Sequence, residues 1–196
     1  KSIKVYDLWK PKKQLALITA ESFVPTALCY SADARNIYAS ATDGNLYGFE
    51  TDKYKQTLAL SATVAADKLV ASPNGYFVAA GGGNEVEVLN VEGRSVRTKL
   101  TFGGVVKDVE FSANSQYMAV LTDDGNSNIY DTATFNVVYS YSSLGTAESC
   151  FFHPDNKYIA VVTGEQRLAI INMLNEKDRR YVDATEGGVK LVKFIE

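Results

Sequence analysis

Between residues 107 and 131 the chain reads KDVEFSANSQYMAVLTDDGNSNIYD, and its apolar positions fall into three short runs. Val109 and Phe111 alternate with polar neighbours, which is the period of a strand with one buried face. Ser112-Ala113-Asn114-Ser115 breaks that run, and Tyr117-Met118-Ala119-Val120-Leu121 is an apolar stretch of strand length. Asp124-Gly125 supplies a hairpin turn, and Ile129-Tyr130-Asp131 falls in a third strand. The pattern predicts antiparallel strands joined by tight turns.

The same pattern returns three more times. One copy runs through Leu28–Asp33, Ile37–Ala41, the Asp43-Gly44 turn and Tyr47–Glu50. A second runs through Leu69–Gly75, Tyr76–Ala80, a Gly81-Gly82-Gly83 turn and Val86–Asn90, and a third through Cys150–Asp155, Tyr158–Val162 and Leu168–Asn172. The first-turn anchors Ser31, Ser72, Ser112 and His153 step by 41, 40 and 41 residues. The strand-ending residues Glu50, Asn90, Asp131 and Asn172 step by 40, 41 and 41. A less regular fourth strand fits at Thr57–Leu60, Val96–Leu100, Val137–Tyr141 and Tyr181-Val182. Four strands in a period of roughly 40–45 residues is the repeat of a propeller blade.

These units resemble WD40 or WD40-like β-propeller repeats over nearly the whole chain. The family's Phe-Ser-x-Asp/Asn core is matched by Tyr30-Ser31-Ala32-Asp33, Phe111-Ser112-Ala113-Asn114 and Phe152-His153-Pro154-Asp155. Its Trp-Asp ending is present in degenerate form as Tyr6-Asp7, Phe49-Glu50, Leu89-Asn90, Tyr130-Asp131 and Ile171-Asn172. No unit has the family's Gly-His dipeptide, so the buried Asp–His network of such repeats is not carried over. The resemblance implies an all-β β-propeller built from four-stranded antiparallel blades with a period of about 41 residues.

On this reading residues 1–22 form a partial blade, 23–62, 63–102, 103–143 and 144–187 form complete blades, and 188–196 open a further one. Ser2–Asp7 and Gln14–Thr19 take the places of third and fourth strands, and Val189–Phe194 that of a first strand. Joining the ends leaves a blade without its second strand. The expectation is a piece of a larger propeller, with a five-bladed closure around a defective blade as the alternative. Either way the open ends need partner strands.

Composition narrows the function classes. A net charge of −3, with both signs mixed along the chain, gives no general basic face for nucleic acid. The basic clusters Lys10–Lys13 and Lys177–Arg180 are expected as solvated loops. No apolar run approaches the roughly 18 residues of a helical span, so membrane insertion is not expected. Cys29 and Cys150 are expected as free buried thiols on opposite faces of their strands, which weakly favours an intracellular setting. The compartment itself stays unassigned.

Candidate chemistry is sparse. His153, the single histidine, occupies a first-turn anchor, so its expected role is turn chemistry with Asp155. A zinc site needs several His or Cys ligands, and no such cluster exists in the sequence. Asp123–Asn128 lacks the spacing of a calcium loop, and Gly81-Gly82-Gly83 has no Lys-Ser/Thr pair for phosphate. No G-x-S-x-G elbow is present. No cofactor is therefore expected. Asp67, Asp108 and Glu148 lie near the beginnings of first strands and define the rival reading, a hydrolase or lactonase with a cation in a central channel.

The resemblance implies protein or peptide binding on the face formed by the fourth-to-first and second-to-third connections. Phe23, Asp43, Asp67, Lys107, Asp108, Asp123, Glu148 and Arg167 are the candidates there, with Glu165, Gln166 and Lys190 beside them. Acidic residues outnumber basic ones, which predicts a partner segment carrying Lys or Arg. Trp9 lies on the opposite face, where it is expected to pack under its loop. A purely structural spacer within a larger assembly is the third reading.

Overall fold

The computed structural model describes residues 1–142, 146–163 and 167–183, and every regular element in them is a β-strand. The expected open end at Val189–Phe194, together with Glu165, Gln166 and Lys190, lies outside the described residues. A two-stranded sheet comes first, formed by β1 (Ser2–Tyr6) and β2 (Gln14–Thr19). Sheet 1 follows with β3 (Pro25–Tyr30), β4 (Asn36–Ala41), β5 (Asn45–Glu50) and β6 (Gln56–Ser61). Sheet 2 contains β7 (Lys68–Ala71), β8 (Phe77–Gly82), β9 (Glu85–Asn90) and β10 (Ser95–Thr101). Sheet 3 is β11 (Val106–Phe111), β12 (Tyr117–Thr122), β13 (Ser127–Asp131) and β14 (Val137–Tyr141). Sheet 4 is β15 (Ala147–Phe152), β16 (Tyr158–Thr163), β17 (Arg167–Asn172) and β18 (Asn175–Asp183). In all four, strands adjacent in sequence pair antiparallel, so each sheet is a simple meander.

The first turn of each repeat is built by one short side chain. Ser112 Oγ accepts the Tyr117 amide at 2.9 Å and donates to Asn114 Oδ1 at 2.7 Å, and Asn114 Oδ1 accepts the Gln116 amide. Ser72 with Asn74, and Ser31 with Asp33, repeat the arrangement. One residue of each turn is left-handed: Ala34, Gly75, Ser115 and Asn156. His153 replaces the serine in sheet 4, its Nδ1 lying 2.7 Å from Asp155 Oδ1, as the turn reading expected. The strand-ending acids and amides cap the next turn, with Asp131 Oδ1 accepting the Ala133 and Thr134 amides and Asp7 Oδ1 those of Trp9 and Lys10.

Stacking the sheets makes four apolar layers. Ile3, Val5 and Ile18 of the two-stranded sheet cover Ile37, Tyr47 and Phe49 of sheet 1. Tyr38, Leu46 and Leu58 meet Val78 and Leu89 between sheets 1 and 2. Val86 and Val88 meet Phe111, Met118 and Val120 between sheets 2 and 3. Leu121 and Ile129 meet Cys150, Ile159 and Ile171 between sheets 3 and 4. A fully buried Leu, Ile or Met contributes about 1.5–3 kcal/mol, so each layer outweighs any single surface contact. The first strands β3, β7, β11 and β15 lie against one another in that order, which sets them along a common line with the fourth strands outermost.

Several details depart from the sequence pattern. Gly81 and Gly82 extend β8, and only Gly83 takes the left-handed turn conformation, at φ 56°. Gly82 is required by crowding instead, because a Cβ there would lie 2.7 Å from the Ala65 carbonyl oxygen. Lys177–Arg180 form part of the long strand β18, not a loop, because that segment pairs with β17 through Arg180↔Ile170 and Arg179↔Ile171. Cys29 and Cys150 are free and belong to different apolar layers, on opposite strand faces as expected; Cys150 is buried, whereas Cys29 is only half-buried.

Candidate interaction surface

In sheets 1 and 3 the connection that enters the sheet lies over that sheet's own second-to-third hairpin. Thr42 N donates to Val24 O at 2.9 Å, and Asp123 N donates to Val105 O at 3.0 Å. This stitching gathers the candidate residues at one end of the sheets. It also uses several of them up.

Phe23 is 6% exposed and stacks on Tyr47 with ring centroids 3.9 Å apart, so it belongs to the core and offers nothing to a partner. Asp43 accepts the Tyr47 hydroxyl at 2.7 Å and the Asn45 amide at 3.0 Å. Partial desolvation raises its pKa, but these donors overcome it and hold the carboxyl below the ordinary range. Asp123 Oδ1 accepts the Val105 amide at 2.8 Å, and Asp124 Oδ1 the Thr122 hydroxyl at 2.5 Å. Arg167 Nε contacts Asp183 Oδ1 at 2.8 Å across β17 and β18. Lys107 is half-buried in β11, while Asp67 and Glu148 remain exposed at the starts of β7 and β15.

Asp108 turns inward. Its Oδ2 accepts the Cys150 amide of β15 at 2.9 Å and its Oδ1 the Val109 amide at 3.0 Å, tying sheets 3 and 4 together. Burial pushes its pKa up, against the two amides and the Lys68 charge. Glu110, on the same strand face, is pushed up to about 7 by burial and by the charge of Asp108. Asp67, Asp108 and Glu148 do not converge, and no group of three or more His, Cys, Asp or Glu is placed to hold a metal among the described residues. The reason is register: Asp108 sits one residue further along its strand than Asp67 and Glu148 do, so it points to the neighbouring sheet.

One buried charge escaped the sequence reading. Glu87 is 2% exposed in β9, where Oε2 accepts the Thr63 amide at 2.8 Å, Oε1 accepts the Thr63 hydroxyl, and Lys99 Nζ lies 3.9 Å away. Glu87 holds the place of Tyr47 one repeat earlier and Asn128 follows one repeat later, with Val64 and Gly104 at the place of Phe23 and Thr63 and Gly103 one residue before them. Gly103 supplies no side chain, and a shallow cavity of about 300 Å³ opens beside Asn128. The alternation Glu85-Val86-Glu87-Val88 was the available signal. It marks a strand with a charged face, but only the stacked neighbour shows that this face is buried.

The opposite end of the molecule differs in character. Trp9 is 90% exposed and Leu8 84%, so the expected packing of Trp9 under its loop does not occur. Asp7 sets the tip: its carboxylate accepts the Trp9 and Lys10 amides and its own amide donates to Lys13 O at 3.0 Å, so the turn closes on itself while the Leu8 and Trp9 side chains stand in solvent. Tyr6, Leu15 and Leu17 add further exposed apolar surface to the same hairpin.

Neither a protein-family model nor a curated protein matches the sequence. Among solved structures 1621 chains match, so the architecture recurs too widely to choose a function. One of them, from Kuenenia stuttgartiensis hydrazine synthase, is 15% identical and superposes with a TM-score of 0.70 over 85% of this chain. This chain spans about half of that one, at 51%. The likeness shows a β-propeller-like all-β fold and goes no further.

Proposed function

We propose that this chain is a non-enzymatic interaction platform of the WD40-like kind, its sheets forming part of a propeller ring and its exposed loops meeting a protein or peptide partner. The observation that carries this reading is the β1–β2 tip, where an aromatic and a leucine stand almost fully in solvent on a hydrogen-bonded turn. Exposed aromatic anchors on rigid supports are the usual energetic centres of protein interfaces. Rigidity limits the ordering cost of binding. At the other end, Asp67 and Glu148 are exposed, as are Asp43, Asp123 and Asp124, and these acids suit a basic segment of the partner.

The test is photo-crosslinking from a benzophenone side chain placed at position 8, followed by affinity measurement for the captured protein. Trp9→Ala is expected to weaken that complex by roughly tenfold or more, the effect of losing a central aromatic anchor. Charge reversal at Asp67 and Glu148 together asks whether the acidic end contributes. If Trp9→Ala and the reversal both leave affinity unchanged, the platform reading of these surfaces fails.

A further inference from the structure

The place that Tyr47 holds in sheet 1 is filled differently in each of the next two sheets. Tyr47 stacks on Phe23, and its hydroxyl donates to Asp43 Oδ2 at 2.7 Å. In sheet 2 the place holds Glu87, which accepts the Thr63 amide, while Lys99 Nζ donates to Thr63 Oγ1 at 2.9 Å and lies 3.0 Å from Glu85. In sheet 3 the side chains are shorter. Asn128 stands at the place of Tyr47, Gly104 at that of Phe23, and Ser140 at that of Lys99. At Gly104 a Cβ would lie 2.7 Å from Asp123 Oδ1, so this segment supplies no ring in the place of Phe23. The result is the cavity of about 300 Å³ between the Thr101–Gly103 segment and sheet 3. Phe102 and Tyr130, packed edge to face, give it ring surface, and Thr101, Asn128, Ser140 and Asp124 give it polar groups. That volume is at the small end of ligand pockets, which span roughly 300–1,000 Å³.

One part of the sheet 1 arrangement persists in sheet 3. Asp124 is the counterpart of Asp43, and each precedes a left-handed glycine, Gly125 and Gly44. Asp124 Oδ1 accepts the Thr122 hydroxyl and the Asn126 amide, and no phenol is among its hydrogen-bond partners in the described residues. No Lys or Arg lines the cavity, so its one charge favours a hydrogen-bond donor over an anion. A lysine ammonium is the weaker candidate, because Asn126 and Asn128 replace Glu85 and Glu87, the two acids beside Lys99 in sheet 2. We propose that the cavity is a tyrosine-recognition pocket, taking the side chain of a tyrosine in a protein or peptide partner, its ring in the space that Tyr47 fills in sheet 1 and its hydroxyl donating to Asp124. The chain's own first repeat is the template, with the same acid on the same hairpin and the ring supplied from within. The source of the tyrosine rests on the platform reading, whereas the chemistry of the pocket does not.

The probe is N-acetyltyrosinamide, which carries the side chain without terminal charges, with N-acetylphenylalaninamide as control. Titration into the protein is followed by NMR. The tyrosine derivative is expected to shift the Gly103, Asn128 and Ser140 resonances saturably. The phenylalanine derivative is expected to bind about tenfold more weakly, since it leaves a hydrogen bond to a charged acceptor unmade. Asp124→Asn is expected to bring the tyrosine derivative to the level of the control. Asn128→Tyr rebuilds the filling of sheet 1 from within, and it is expected to raise Tm and to abolish binding. Gly103 lines the cavity and a Cβ there meets only Asp124 Oδ2, at 3.5 Å, so Gly103→Leu is a second filling variant with the same expected loss of binding. Equal affinity for the two derivatives, or binding that survives both filling variants, overturns the inference. Binding of neither derivative overturns it as well; if Trp9→Ala still weakens the captured complex, the platform reading then stands without this pocket.

Discussion

Ser112 shows how much one small side chain decides. Its hydroxyl is fully buried and makes two hydrogen bonds that hold the first turn of sheet 3. Ser112→Ala leaves the Tyr117 amide and Asn114 without that partner, and it is expected to cost about 1–2 kcal/mol in urea unfolding. A cost near zero would mean that the turn is held by its backbone alone. Glu110 makes a pH-dependent contribution of the opposite sign. Its folded pKa, near 7, lies above the ordinary value of 4.5, so the folded chain keeps a proton that the unfolded chain has released. Stability therefore falls as pH rises from about 4.5 to about 7. Glu110→Gln is expected to remove that slope and to stabilise the protein at pH 8 by about 1–3 kcal/mol, allowing for its partial exposure. Identical pH slopes for variant and wild type would contradict this. Burial also pushes the Cys29 thiol up to about 12 and the Cys150 thiol well above its usual value. Neither is expected to react with iodoacetamide at pH 8 until the protein unfolds, because the thiolate is the nucleophile.

At the scale of elements, the two ends of the chain's hairpins behave differently because their turns are built differently. The hairpins that contain Asp43-Gly44 and Asp124-Gly125 are bonded to the segments entering the same repeat through Thr42 and Asp123, and the side chains they expose are polar. The β1–β2 turn bonds only to itself through Asp7, so its apolar residues face solvent. Trp9, the single tryptophan, reports on this directly. Its emission is expected at the long wavelength of a solvated indole and fully accessible to acrylamide. A blue-shifted, protected emission would show that the tip is covered. Gly82 illustrates a constraint of another kind, since it is space between β8 and the Ala65-Ala66 segment that excludes a side chain. Gly82→Ala is expected to cost about 1–3 kcal/mol through overpacking, whereas Gly75→Ala meets no neighbouring atom and pays only for its left-handed backbone.

At the scale of the molecule, stability is a chain of neighbouring interfaces, as in other repeat proteins. Sheets 2 and 3 are covered on both faces by neighbouring sheets, while sheet 1 has Leu28 and Tyr30 open. Hydrogen exchange is expected to be slowest in β8, β9, β12 and β13 and fastest in β1 and β2. Uniform protection across all the sheets would show a single cooperative unit instead.

Much of this architecture is legible without coordinates. The 40–41-residue spacing from Ser31 to His153 places sixteen of the strands in four meanders, because turn chemistry and period-2 burial are local properties. The anchor role of His153 follows from the same alignment. What stayed hidden depends on contacts between repeats. Phe23 reads as a loop residue until Tyr47 is seen stacked upon it. Asp108 reads as a channel-mouth charge until the Cys150 amide, 42 residues away, is seen to hold it. Glu87 reads as a surface acid until Thr63 closes over it. By itself the sequence determined the strands, their order and the repeat, since each rests on hydrogen bonds and side-chain alternation within one unit. Only the tertiary structure decided which acids are spent in holding neighbouring sheets and that Trp9 stands in solvent, because the first depends on how one sheet lies against the next and the second on which side of its turn the indole leaves.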